Sequence, residues 1–278
     1  MDFIDTHQHL IWRDRFSYSW TETIPQLAGG DFSPLDYAAL SEGKGIAGTV
    51  FMEAAVDDKH YRDEARFVAT LVGEGGLLGQ IASCRPEEDD GFDAWLEECA
   101  SLKVNGLRRI LHVMPDEVSQ SSRFRTNLRK IGRVGLPFDL CMLARQLPLA
   151  LDLVQACDEQ VFVLNHCGVP DIAGDAFEDW SKGLKAVAAH SNVFVKLSGI
   201  AAYCAPHAAD IKTLEPWVHH VLDSFGPKRI VWGSDWPVVN LGADLPNWID
   251  MTRAMIGHLS KDEQLAIAQL NAKKIYNV

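Results

Sequence analysis

The strongest constraint on this chain is a rhythm of eight short apolar runs rich in Val, Ile and Phe. Each closes in a polar or glycine-containing turn and leads into a longer segment of helical spacing. The runs occupy residues 3–6, 48–52, 79–83, 106–110, 136–140, 161–164, 193–197 and 229–233. Runs so short and so uniformly apolar read as strands buried on both faces, the pattern of a parallel sheet. Helical periodicity spans 60–72, 91–102, 121–134, 144–157, 176–190 and 214–225, then 245–258 and 260–276. In the last of these, Ser260 stands three residues before Glu263, the spacing of a capping box. Parallel strands need crossovers, and closing eight β-α units into a barrel removes both sheet edges. The expected fold class is therefore α/β, a single (β/α)8 TIM barrel over residues 1–278. A doubly wound open sheet is the alternative, but no Gly-x-Gly-x-x-Gly follows the first run, which speaks against its dinucleotide-binding form.

Composition narrows the partners. With 47% apolar residues among 278, the chain can line a large core. Its formal charge of −12 and the lack of any basic run exclude a nucleic-acid partner from the expectation. Met1 leads into Asp2-Phe3-Ile4-Asp5 without a basic then apolar leader, and no apolar stretch nears the roughly 20 residues of a membrane span. No membrane partner and a cytoplasmic location are expected, the chain being a monomer or homo-oligomer. Six scattered cysteines with no C-x-x-C pair read as buried reduced thiols. The long loop 11–37, with Trp12, Tyr18 and Trp20, reads as an ordered lid.

A barrel carries its chemistry at the C-terminal ends of its strands. Strand 1 ends in Asp5-Thr6-His7-Gln8-His9, where alternation sets His7 and His9 on one side. Strand 2 ends in Glu53, strand 4 carries Arg108, Arg109 and then His112, and strand 6 ends in Asn165-His166-Cys167-Gly168. Strand 7 holds Lys196, and strand 8 runs into Gly233-Ser234-Asp235-Trp236-Pro237. His7, His9, His166 and Asp235 thus fall at the ends of strands 1, 6 and 8, an N/O donor set suited to one divalent ion such as zinc. An Asp after a strand is often only a helix cap, but Pro237 disfavours immediate helix entry, so Asp235 reads as metal ligand or general base. Of the two arginines only one can face the site, and Arg109 is the one expected there. Lys196, inside an apolar run, is either catalytic or paired with Glu53 or Asp5. Trp20, Glu53, His112, Tyr203 and Trp236 are expected to contact substrate, with plain packing the alternative for the aromatics.

Taken together these motifs resemble the amidohydrolase superfamily, in its branch of sugar-lactone hydrolases. The likeness rests on Phe3-Ile4-Asp5-Thr6-His7-Gln8-His9-Leu10 with Trp12, on Arg108-Arg109-Ile110, on Leu164-Asn165-His166-Cys167-Gly168, on Val195-Lys196-Leu197-Ser198-Gly199 and on Trp232-Gly233-Ser234-Asp235-Trp236-Pro237. The resemblance implies a (β/α)8 barrel with His7, His9 and His166 at metal-ligand positions and Asp235 as the carboxylate that activates water. Lys103 precedes strand 4, so no lysine is placed to bridge two metals, and one weakly held or dispensable ion is expected. The implied reaction is opening of a small sugar lactone by Asp235-activated water. A metal or protonated His7, His9 and His166 would stabilise the oxyanion, and Arg109 and Lys196 would orient the substrate. The alternatives are a metal-dependent decarboxylase of an unsaturated carboxylic acid and an inactive small-molecule-binding barrel.

Overall fold

The structure is a computed structural model describing residues 1–278. All eight apolar runs form strands: β1 (Phe3–Gln8), β2 (Ile46–Met52), β3 (Leu77–Ser83), β4 (Val104–Ile110), β5 (Phe138–Cys141), β6 (Phe162–Leu164), β7 (Val193–Leu197) and β8 (Ile230–Trp232). They lie parallel in the order of the chain, as a (β/α)8 barrel requires. The crossover helices are α1 (Pro34–Ser41), α2 (Tyr61–Ala69), α3 (Phe92–Ser101), the short α4 (Glu117–Gln120) with α5 (Ser122–Arg133), α6 (Leu147–Ala156), α7 (Phe177–Ala188) and α8 (Ile211–Phe225). After β8 come α9 (Leu245–Met255), then α10 (Lys261–Leu265), a π-turn over Ala266–Leu270 and α11 (Asn271–Tyr276). The capping box before α10 forms as expected, Ser260 and Glu263 binding each other's backbone N–H. No helix is long and apolar enough to cross a membrane.

Two cores follow from strand alternation. The larger fills the layer between sheet and helices, with Phe3, Phe51, Phe138, Phe162 and Trp232 among its buried side chains. The smaller gathers Ile4, Val50, Ile81, Val163 and Val231 with Tyr276 of α11, so the C-terminal helix supplies an aromatic plug to the barrel interior. All six cysteines are free and five are buried.

The expected loop 11–37 is shorter than its spacing suggested, because Ser33 caps α1 through a capping box with Asp36. The remaining loop is stapled by paired backbone bonds between Ile11 and Phe32. Arg13 braces it from within, donating to Gly30 O at 2.8 Å, Thr21 Oγ1 at 2.8 Å and Leu27 O at 2.6 Å. It is an ordered flap over the barrel mouth, as its aromatic content implied.

Candidate active site

Between β8 and β1 the ladder gives way to an irregular seam, and the site is built there. Register shifts in β1 between Asp5 and Gln8 break the strict alternation. Ile4 therefore packs inside the barrel while His7 and His9 still reach its mouth. At the seam Asp235 N donates to His7 O at 2.9 Å and His9 N to Trp236 O at 2.8 Å. Asp235 is held at φ 58° and His166 at φ 51°, left-handed backbone that L-residues rarely adopt and that clusters at functional sites. The turn after β6 keeps that hand through Cys167, Gly168 and Val169. The Asp235 carboxylate caps no helix; only its backbone carbonyl accepts, from Val239 N.

Three imidazoles surround that carboxylate. His7 Nε2 lies 3.6 Å and His9 Nε2 3.4 Å from Asp235 Oδ1, with His166 Nδ1 3.8 Å from Oδ2. His9 Nδ1 sits 3.0 Å from Met52 O, an acceptor, so that nitrogen carries a proton and Nε2 turns toward Asp235. His166 Nδ1 meets Ser198 Oγ at 3.0 Å. Arg108 Nη1 lies 3.3 Å from His7 Nε2, and because a guanidinium only donates, His7 accepts there. Burial, with the neighbouring His166, Lys196, His9 and Arg108, pushes the His7 imidazole well below its ordinary range. Burial likewise lowers His166 to about 4, against the opposing pull of Asp235. Both rings are therefore neutral near pH 7, and the expectation that protonated His7 and His166 hold an oxyanion is corrected. Asp235 Oδ2 is buried without a hydrogen-bond partner.

The Arg109 expectation is also corrected. Arg108 faces the site, whereas Arg109 points outward to Glu87 and Met114 Sδ. Neighbours on a strand take opposite sides, and the inward parity of β4 belongs to Gly106 and Arg108. Arg108 Nε and Nη2 donate to Glu53 Oε1 at 2.6 Å and Glu53 O at 2.7 Å. Burial would raise the Glu53 carboxyl, but Arg108 and the Ala55 N–H outweigh it and lower it. Glu53 thus steers Arg108 from behind and does not line the cavity, contrary to its expected contact with substrate.

Lys196 lies deeper than expected. Its Nζ donates to Asp139 Oδ1 at 2.7 Å and Thr6 O at 2.8 Å and is fully buried, so it is neither a substrate contact nor paired with Glu53 or Asp5. Asp139 also accepts from Asn165 Nδ2 at 2.7 Å and from the Tyr276 hydroxyl at 2.9 Å. Trp236 turns away from the mouth and packs edge-on against Phe32 and Tyr37, so its expected substrate contact is not made.

A cavity of about 350 Å³ opens onto Asp235, His9, His166 and Arg108. Trp20, His112 and Tyr203 line it. Trp20 Nε1 donates to Ala54 O at 3.0 Å, fixing the flap to the β2 end. Two features escaped the sequence: Ser198 as partner of His166, and Cys141, whose Sγ lies 3.3 Å from His112 Nδ1. A hydroxyl directly after β7 and a thiol at the end of β5 were the available signals.

A family model described as amidohydrolase matches residues 4–278. An L-fucono-1,5-lactonase of Burkholderia ambifaria is 31% identical over 251 residues, covering 86% of this chain and 81% of that protein. A 2-pyrone-4,6-dicarboxylate hydrolase of Comamonas testosteroni is 25% identical, over 78% of this chain and 71% of its own length. Among solved structures, an amidohydrolase from Burkholderia multivorans with bound Zn superposes with a TM-score of 0.91 at 24% identity, covering 100% of both chains. The seam-built cluster of histidines and aspartate, on a barrel matched end to end, places this chain in the amidohydrolase family.

Proposed function

We propose that this chain is a lactone hydrolase in which Asp235 is the general base. The observation that carries the reading is the nearly buried Asp235 carboxylate in the lining of a cavity that also holds Arg108 and Tyr203, surrounded by three imidazoles. A carboxylate lining an enclosed cavity is placed to take a proton from water. Attack of that water on the lactone carbonyl places negative charge on oxygen, and Arg108, protonated at any working pH, stabilises it. The tetrahedral intermediate then expels the ring oxygen, which receives the proton held by Asp235, giving a hydroxy acid. His7, His9 and His166 crowd round the carboxylate, and His7 and His166 do not carry charge themselves. The relatives named for lactone-opening reactions support the same chemistry.

The donors also fit a single divalent ion of the zinc type. His7, His166 and Asp235 each offer a ligand atom within 4.8 Å of the others, and the spare Asp235 oxygen needs a partner. Bound by these three, with His9 alongside, such an ion would polarise the lactone carbonyl. Arg108 Nη1 already shares the His7 Nε2 lone pair, so guanidinium and cation compete for it.

The test is acidification of weakly buffered solutions of 1,4- and 1,5-lactones by the wild type and by Asp235→Asn. An amide cannot take the proton, so turnover should fall by about 10²–10⁴-fold with an unchanged melting profile. Wild-type rates in that variant would remove Asp235 from the chemistry.

A further inference from the structure

The machinery supplies only part of the cavity lining. Much of the rest is Ala54, Val56, Ile110, Val113 and Val238, together with the indole of Trp20. Few polar groups there remain free. The Trp20 N–H is taken by Ala54 O, and Asp57 is taken by Ser19, whose N–H and hydroxyl donate to its two oxygens at 3.1 and 3.0 Å. What remains is the Tyr203 hydroxyl and one edge of His112, whose Nδ1 faces Cys141 Sγ. The charge balance is equally one-sided. Arg108 is the lone cation of the lining, two of its three nitrogens are bound to Glu53, and the lining also holds the carboxylates of Asp57 and Asp235.

Resting on the lactone-hydrolase reading above, we propose that the substrate is a neutral lactone whose ring bears an apolar, sparsely hydroxylated substituent. A polyhydroxylated ring would leave most of its hydroxyls against Val and Ile side chains, having shed water for no new partner. An alkyl substituent loses nothing there and buries apolar surface against the wall. A ring carrying carboxylates would meet two carboxylates of the protein and one cation, Arg108, already shared with Glu53. Apolar pockets reject an added hydroxyl by about 10²-fold at most, and accept a lost methylene with a penalty of about 10–200-fold, which sets the scale of the effect.

The experiment compares kcat/KM of the wild-type protein on three probes: an alkyl-substituted δ-lactone, L-fucono-1,5-lactone and 2-pyrone-4,6-dicarboxylate. The expected result is a value for the alkyl lactone about tenfold or more above that for the fuconolactone, with no measurable opening of the dicarboxylate. A smaller or inverted ratio, or turnover of the dicarboxylate, overturns the inference while leaving the lactonase reading in place. Failure to open any lactone, in this set or in the wider panel above, overturns the parent reading and the inference with it.

Discussion

Gly199 is the residue at which backbone and chemistry meet most tightly. It sits at φ +68°, and a β-carbon there would fall 2.3 Å from His166 Nδ1 and 2.9 Å from Asp235 Oδ2. Gly199→Ala therefore combines a left-handed backbone penalty with a clash inside the catalytic cluster. We expect a loss of about 1–3 kcal/mol in stability and a fall in kcat larger than that loss explains. Melting and steady-state kinetics on the same sample decide it, and unchanged kcat would mean that the cluster is not set by this contact. Glu64 of α2 offers a test by pH. Burial, with the Glu53 charge beside it, raises its carboxyl well above the usual range, while Ala54 N donates to its Oε1 at 3.1 Å. The folded chain keeps a proton there that the unfolded chain releases. The stability from that proton is complete below the unfolded value of about 4.3 and is lost as pH rises toward the folded one. Glu64→Gln keeps the acceptor and removes the titration, so its stability should gain on the wild type as pH rises above about 4.3, by up to about 1.4 kcal/mol per unit, read as a widening gap in melting temperature. A constant gap would contradict a protonated Glu64. Residue by residue, His7, His9, His166 and Asp235 were legible because strand ends and barrel topology constrain them together. Arg108 was not, since two adjacent arginines differ only in parity and parity depends on a register that no local motif reports.

At the scale of elements, the strands and most helices were legible from periodicity, whereas depth inside the barrel was not. Lys196 reads as inward-facing, but whether it reaches the mouth or stops a layer below depends on the stagger of β7 against β5. In the structure it stops below, and there Asp139 ties four elements together. It accepts from Lys196 on β7, from Asn165 in the strained turn that carries His166, and from Tyr276 of α11, while Lys196 in turn holds Thr6 O beside His7. Asp139 is thus a positioning residue for two of the histidines without touching the cavity. Asp139→Asn leaves the Lys196 ammonium buried without its counter-charge, which costs about 3–5 kcal/mol. Adding Lys196→Met removes the stranded charge, so the double variant should melt above the single one. Because Thr6 O loses its donor in the double variant, kcat should stay low when stability returns. If activity recovered together with melting temperature, the pair would be structural alone.

At the scale of the whole molecule, closure of the barrel and assembly of the site are one event. Seven of the eight strand interfaces are extended ladders, three of them with register shifts, while the eighth, β8 to β1, is reduced to the single bridge between Gln8 and Trp236. Side chains take over what the ladder lacks. Asp5 Oδ1 accepts from Ser234 N at 2.8 Å and His7 N at 2.9 Å, its Oδ2 accepts from the Tyr37 hydroxyl at 2.7 Å, and Thr6 Oγ1 donates to Trp232 O at 2.7 Å. A regular ladder would force uniform alternation across the seam; its absence leaves His7, His9 and Asp235 free to converge on one point. The irregular seam is therefore what permits the chemistry, and Asp5 is what keeps it shut. Asp5→Ala orphans two buried backbone N–H groups and a phenol, each worth about 1–3 kcal/mol, so a fall in melting temperature of several degrees is expected. Because His7 and Asp235 lie on opposite sides of the seam, kcat should collapse in the same variant even at temperatures where it remains folded. Asp5→Asn retains an acceptor for both N–H groups and should recover most of the stability and activity. If Asp5→Ala instead melted early yet kept wild-type kcat while folded, closure and catalysis would be separable, and the site would have to be held by the strands alone.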